Sequence, residues 1–357
     1  MSLRDTKVET EVLPPSIETA RQVAVEAGLR YVSDRKPGFS RKRAGKGFVY
    51  IDESRKKLTD KVHLDRIKKL VIPPAWSEVW ICPSANGHIQ VTGRDVKQRK
   101  QYKYHAKWNA TRNSNKFDKL LTFCSVLPKV RSRVKKDLKR PNYDREKVLA
   151  AVVSIMERTL IRVGSEEYAI TNKSYGLTTM KNKHATVKGK EVHFKFKGKS
   201  GVEHEIVLED PRLAKIVRKC QDLPGQDLFG YETEDGKHAD VTSADVNDYL
   251  REITGEEITA KDYRTWGGTL HAVQALCTME KAKNKTQLKK CITTALKMTA
   301  AKLGNTPTIC RGYYVHPVIF ELFESGDLHK ALKQKAGRGL TSEDLLVKSL
   351  LKKGVRR

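Results

Sequence analysis

The segment NTPTICRGYYVHP, residues 305–317, sets two adjacent tyrosines, Tyr313 and Tyr314, beside Cys310 and Arg311. A phenol becomes a nucleophile as it loses its proton, and an unperturbed value of about 10 means it needs nearby positive charge to do so at neutral pH. Three other stretches offer such charge. Arg162 lies in LIRVG, where apolar periodicity places it at the end of a long helix; Lys199 lies in FKGKSG, at the tip of an expected hairpin; Arg264 lies in AKDYRTWGG, between Tyr263 and Trp266. Guanidinium groups bind oxyanions through planar forks, and a lysine moved into a groove can donate a proton. Asn305 adds a neutral donor. Each residue also has a plainer reading. Arg162 could be a solvated charge at a core rim, and Lys199 an exposed edge charge. Arg264, expected to be partly buried, could pair with Asp262 or with an external phosphate. Asn305, Thr306 and Pro307 read as punctuation between two helices, with Thr306 as N-cap and Pro307 at the first position. On that second helix Ile309 and Tyr313 are four apart, so Tyr313 is expected to face the core. Tyr314 is left on the side of Cys310, and spacing alone favours it only slightly as nucleophile.

Composition narrows the substrate. The chain has 357 residues, a net charge of +28 and 38% hydrophobic residues, enough for a packed core. A charge that large repels itself unless something acidic neutralises it. Nucleic acid is the favoured partner, because Lys and Arg displace condensed counterions from phosphates, with a membrane surface the weaker choice. No apolar run reaches the ~18 residues of a membrane span, and no signal peptide opens the sequence, so no membrane association is expected. The six cysteines are scattered without a CxxC pair, which argues against structural zinc and disulfides and for a reduced, cytosolic setting. There is no GxxxxGK[ST] phosphate cradle, no HExxH and no carboxylate cluster for Mg²⁺. Phosphoryl chemistry on nucleic acid would fall to arginine, lysine and an activated hydroxyl, with no ATP and no obligatory metal.

The elements that must position these groups follow from pattern. Residues 1–28 begin with the polar MSLRDTKVETE and are expected to be flexible. Residues 29–107 read as a small β-rich domain: GFVYID alternates, SEVWICP is a buried strand, ANGH a turn and IQVTG another strand, while DRIKKLVIPPAW is a short helix stopped by Pro73 and Pro74. Within it QRKQYKYH, residues 98–105, interleaves Gln101, Tyr102 and Tyr104 with cations. On a strand the two tyrosines share a face, suited either to a nucleic-acid groove or to cross-strand packing. A linker is placed at 108–115 and a mainly helical domain at 116–357. In the latter REKVLAAVVSIMERTLIRVG sets Leu149, Val152, Val153, Met156, Leu160 and Val163 on one helical face, with Gly164 as its stop. EVHFKFKGKSGVEHEIVLED reads as a hairpin, and from Ser243 onward the chain is almost wholly helical.

Taken together, in order and over both domains, IPPAW, VWICP, NGH, RKQYKYH, LIRVG, YGLTTMKNKH, FKGKSG, KDYRTWGG and LGNTPTICRGYYVHP resemble the type IB DNA topoisomerases, in particular the small poxvirus-like enzymes of bacteria. The resemblance runs from about Leu29 to the C-terminus. It implies an α+β fold with a β-rich lobe and a larger helical catalytic lobe carrying a hairpin, closing as a C-shaped clamp on duplex DNA. It carries the family's two catalytic arginines onto Arg162 and Arg264, its general-acid lysine onto Lys199 and its nucleophile onto Tyr314. The position where many members carry histidine is Asn305, which can donate a hydrogen bond but cannot hold a proton; activity is expected to survive with a different pH profile. DNA contacts are implied at Gln101, Tyr102, Tyr104, Tyr168, Lys181 and Lys183. The implied reaction is ATP-independent relaxation of supercoils through a 3′-phosphotyrosine, by a monomer, in a bacterial cytoplasm at the nucleoid or from a viral genome. Two other readings stay open. A tyrosine site-specific recombinase shares the chemistry, but usually has HxxR at the second arginine, where this chain has Lys261, and lacks a β-rich lobe. A non-catalytic architectural DNA-binding protein would explain the charge but not the co-occurrence of Arg162, Lys199, Arg264 and Tyr314.

Overall fold

The computed structural model describes residues 15–330, 337 and 339–355. Of the segment expected to be flexible, residues 1–14 lie outside the described residues. From Pro15 onward, however, the chain is helical: α1 spans Pro15–Glu26. Its Ala20, Val23 and Ala24, together with Ala27 and Leu29, cluster on Trp108 and Tyr104, so apolar burial orders a stretch whose composition looks polar. The chain divides into two compact units, Met1–Phe117 and Asp118–Arg357.

The first unit is built on one antiparallel sheet. Strands β1 (Phe39–Ala44) and β2 (Gly47–Ile51) precede helix α2 (Lys61–Lys69), and β3 (Ser77–Ile81), β4 (Ile89–Arg94) and β5 (Lys100–Tyr104) follow; the order is β2-β1-β3-β4-β5. Phe39, Val79, Ile81 and Val91 from the strands bury Leu58 and Ile67 beneath them. Helix α2 is capped by Asp60, whose carboxylate accepts from the Val62 and His63 amides, and it ends at Leu70, ahead of the two prolines. Helix α3 (Ala106–Asp137) is 32 residues long. The expected linker at 108–115 is therefore helical, because no glycine or proline interrupts this helix before Pro128.

The second unit is mainly helical with two small antiparallel sheets. Helices α4 (Arg145–Thr159) and α5 (Glu166–Asn172) lead to strands β6 (Ala185–Lys188), β7 (Glu191–Lys197) and β8 (Glu203–Glu209). Helix α6 (Pro211–Gln221) precedes a ribbon of β9 (Gly230–Glu232) and β10 (His238–Asp240). Helices α7 (Ser243–Thr254), α8 (Ala260–Cys277), α9 (Lys285–Leu303), α10 (Pro307–Tyr313), α11 (Val318–Glu324), α12 (Asp327–Lys330) and α13 (Ser342–Val355) complete it. The one-face reading of α4 was too narrow. Ala150, Ala151 and Ile155 are as fully buried as Leu149 and Met156, so α4 is a central helix, packed by α6, α7, α8 and β8. Among the described residues, no helix is long and apolar enough to cross a membrane.

An ionic knot ties α13 to this core. Asp344 is fully buried; its carboxylate meets Arg131 Nη1 of α3 at 2.6 Å and accepts from the Trp266 indole of α8 at 3.0 Å and the Thr341 amide at 2.9 Å. Burial pushes its pKa up, but these donors outweigh burial and hold it below the ordinary carboxylate value. Removing one partner of a buried ion pair strands the other. Asp344→Ala is therefore expected to lower stability by roughly 3–5 kcal/mol in urea unfolding. In the parent the contribution is present above the ordinary carboxylate pKa and is lost as pH falls through the lowered one, so the variant's deficit should shrink in acid.

Candidate active site

Arg264 sits on α8 with 5% of its surface exposed. Asp262, one candidate partner, is instead spent capping α8 through the Thr259 amide and hydroxyl. The guanidinium is held by two carbonyls: Nη1 donates to Leu160 O and Nη2 to Leu303 O at 2.8 Å. Both carbonyls lie at helix C-termini, where the backbone dipole is negative. Its Nε is buried too, and the guanidinium also supplies a donor to the Tyr314 phenol. Burial, and then the nearby charge of Arg162, push the guanidinium down to about 10, against the pull of Tyr314.

Arg162 does not lie on the apolar helix as expected. Helix α4 stops at Thr159, and Leu160 takes a left-handed conformation (φ 58°) that ends the helix and turns its carbonyl to Arg264. Residues 162–163 then run extended against the next loop, with Leu177 N–H donating to Arg162 O at 2.9 Å and Thr178 N–H to Val163 O at 2.7 Å. Arg162 Nη2 donates to Asn305 Oδ1 at 3.0 Å. Among the described residues, neither arginine pairs with a carboxylate.

Asn305 and Tyr314 come from one turn-and-helix unit. Gly304 caps α9 with φ 58°, Thr306 accepts from the Ile309 amide as N-cap of α10, and Pro307 opens that helix. Asn305 Oδ1 is taken by Arg162, which leaves its buried amide nitrogen as the donor group toward the Tyr314 phenol. Tyr313 does not face the core as expected, while Tyr314 lies on the side of Cys310 against the arginines, as expected. Helix α10 is only two turns long, and its buried side is set by Cys310; Ile309 and Tyr313 are exposed, the latter at 48%. Tyr314 lies just beyond the helix, with φ −129°, and turns inward. Its backbone is docked on α8: a Cβ at Gly268 would lie 2.8 Å from Tyr314 O, and Thr269 Oγ1 donates to that oxygen at 3.2 Å. The Arg264 guanidinium carbon is 5.2 Å from the Tyr314 ring centre. Burial pushes the Tyr314 phenol up, but the charges of Arg264 and Arg162 and the donor groups of Arg264 and Asn305 outweigh it, leaving the phenol below its ordinary value.

Lys199 stands apart from these four. It is exposed at the β7–β8 tip, in a tight turn where Ser200 has φ 65°. Its ammonium lies 5.7 Å from the ring of Tyr168 on α5, itself exposed. Lys183 is exposed on the turn before β6, whereas Lys181 has both its carboxylate contacts at 2.8 Å with Asp227, so its charge is already partnered. In the first unit, Tyr102 and Tyr104 share a face of β5 and stack at 5.9 Å, and Gln101 donates to Asp95 at 3.0 Å. One site-lining group was missed: His204 on β8, which shares a pocket with Arg162 and Arg264. Strand alternation contained the signal, since His204 falls on the face of Ile206 and Leu208.

Because the two arginines outweigh burial at Tyr314, Arg162→Gln should move its phenol upward. Ultraviolet tyrosine titration, taken as the difference from a Tyr314→Phe background, should show the ionisation at higher pH. An unchanged difference curve would mean that Arg162 does not act on the phenol.

Comparison with known proteins finds matches in both units. Residues 103–336 match the family model for the catalytic core of eukaryotic DNA topoisomerase I, and residues 47–95 match that for the N-terminal domain of bacterial DNA topoisomerase IB. DNA topoisomerase 1B of Acanthamoeba polyphaga mimivirus is 33% identical over 81% of this chain and 88% of its own length. DNA topoisomerase 1B of Vaccinia virus (strain Copenhagen) is 28% identical over 64% of this chain and 71% of its own. DNA topoisomerase 1 of Rabbit fibroma virus is 25% identical over 77% and 87%. With the catalytic-core match extending from β5 through α12, and the mimivirus relative alignable over most of both chains, this chain belongs to the type IB DNA topoisomerases.

Proposed function

We propose that the chain relaxes supercoiled double-stranded DNA by cutting and resealing one strand through a phosphotyrosine at Tyr314. One observation carries the reading: a buried phenol held below its ordinary pKa by two guanidiniums and met by donor groups of Arg264 and Asn305. A phosphodiester brings the electrophile, and its non-bridging oxygens are acceptors that the same cluster of donors can meet. Tyr314 Oη attacks phosphorus in line as its proton leaves. The new P–O bond forms while the bond to the 5′-oxygen breaks, and Lys199 protonates that oxygen. Charge gathering on the non-bridging oxygens is met by Arg162, Arg264 and Asn305. A 3′-phosphotyrosine remains, the free end rotates, and the 5′-hydroxyl attacks back. One phosphodiester is exchanged for another, so no ATP is required, and cationic side chains take the role a metal would fill.

In this reading the two units close on the duplex as a C-shaped clamp, with Gln101, Tyr102 and Tyr104 of the first and Tyr168 and Lys183 of the second meeting DNA. Lys181 would contact a phosphate only by sharing or giving up Asp227. The protein works as a monomer. Viral relatives support a virus-encoded enzyme, and the match to the bacterial N-terminal domain supports a nucleoid-associated enzyme of a bacterial cytoplasm.

The direct test is relaxation of a supercoiled plasmid with neither ATP nor Mg²⁺. Relaxation is expected; its absence would overturn the reading. Tyr314→Phe should abolish both relaxation and covalent attachment to DNA, while the exposed Tyr313 can become Phe with attachment retained. The reverse result would reassign the nucleophile. Lys199→Ala is expected to slow cleavage by about 10²–10⁴-fold. A substrate with sulfur in the 5′-bridging position needs little protonation to leave and should restore most of that rate.

A further inference from the structure

The imidazole of His204 has no part in the chemistry above, yet it touches both stretches that carry polar groups of the site. It lies on β8 opposite Phe196 of β7, and the two rings stack with centres 4.9 Å apart and planes 12° from parallel. Gly198 precedes Lys199; a Cβ there would sit 2.7 Å from the ring's Cδ2 and Nε2. Gly304 precedes Asn305; a Cβ there would collide with the ring's Cε1. Two glycines, each one residue before a proposed active-site group, thus leave room for one ring. The pocket it lines is also walled by Arg162, Arg264 and Leu303. Burial lowers its pKa, and both guanidiniums lower it further, so the ring is neutral at ordinary pH and acts there as a spacer.

The hairpin needs such a spacer. Beyond Gly198 the tip is Lys199, Ser200 and Gly201, with positive φ at the last two, and Lys199 is exposed with an aromatic ring as its neighbour. A turn of that kind does not hold a lysine rigidly by itself. Nearer the tip the hairpin is tied through backbone, with the Tyr175 amide donating to Lys197 O at 2.8 Å; the last stacked ring pair across it is Phe196–His204, and His204 is the member that reaches the Gly304–Asn305 turn.

We propose that His204 is a positioning residue for Lys199: its ring fixes the hairpin root against the α9–α10 turn, and so sets where the tip ammonium arrives relative to the phosphate held by Arg162 and Asn305. The inference rests on Lys199 acting as the general acid. Truncating the ring would leave the hairpin free to pivot, and misplacement by about 1 Å is enough to cost on the order of 10²-fold in rate. The loss should fall on the step the lysine serves.

The test is single-turnover cleavage of an ordinary substrate and of the 5′-bridging sulfur substrate. His204→Ala is expected to cleave ordinary DNA at least about tenfold more slowly, yet to cleave the sulfur substrate near the parent rate. Gly198→Ala keeps the ring but forces it from the hairpin, and should show the same split if the alanine variant at 204 folds poorly. Lys199→Ala is the control. If sulfur fails to restore Lys199→Ala, the acid reading falls and this inference with it. If sulfur restores Lys199→Ala but His204→Ala is slowed equally on both substrates, the ring is packing only and this inference alone is overturned. Parent-like cleavage of ordinary DNA by His204→Ala would overturn it as well.

Discussion

A guanidinium taken out of water with no carboxylate beside it is the condition around which the second unit is arranged. Arg264 keeps its charge at neutral pH, but burial and the neighbouring Arg162 charge pull it down to about 10, a penalty against the charged form. That penalty is present through the neutral range and is relieved only as pH rises through the lowered value. Two helix ends reduce it by turning carbonyls inward, from Leu160 after α4 and Leu303 at the end of α9. A carboxylate would have reduced it further, and would also have neutralised the charge offered to a phosphate. The unpaired arginine therefore holds free energy in the DNA-free protein that an anion can release.

Much of the surrounding backbone follows from those two carbonyls. Leu160 accepts a left-handed conformation that disfavours most side chains by roughly 1–2 kcal/mol, and this breaks the chain away from α4 so that Arg162 runs extended into the site. The end of α9 at Leu303 leads through Gly304 to Asn305, so the residue that binds Arg162 lies two positions beyond one that binds Arg264. The rigid part of the site is thus made of helix ends. Lys199, which in the proposed role would meet a leaving group only once DNA is bound, lies instead on the hairpin tip.

Local chemistry made some of this readable before any coordinates. The turn at 304–307 was legible because Gly, Thr and Pro each have one favoured role there, and α2 was bounded because two prolines follow it. Arg264's burial could be inferred from Tyr263 and Trp266, but its partners could not, since carbonyl positions depend on where other helices end. The same ignorance misplaced Arg162: only a tertiary pull explains why α4 stops at a leucine rather than running to Gly164. Periodicity failed at Tyr313 because α10 is too short for it, and Tyr314 lies outside the helix. Lys181 looked available because Asp227 is 46 residues away in sequence. The order of α1 was hidden by a polar composition whose few apolar positions find Trp108.

The way Tyr314 is seated has a mechanical side. Its backbone presses on Gly268 and accepts from Thr269, and the next residue, Val315, is fully buried. Thr269 in turn accepts from the His316 amide, so one buried hydroxyl grips the chain on either side of Val315. DNA esterified to the phenol would transmit any tension or torque from the rotating duplex into α8, whose residues from Tyr263 to Thr269 are all buried, and not into a surface loop. In the proposed reaction, an anchor seated this way would keep the phosphorus in place while the other strand end swings, and so keep the broken end findable.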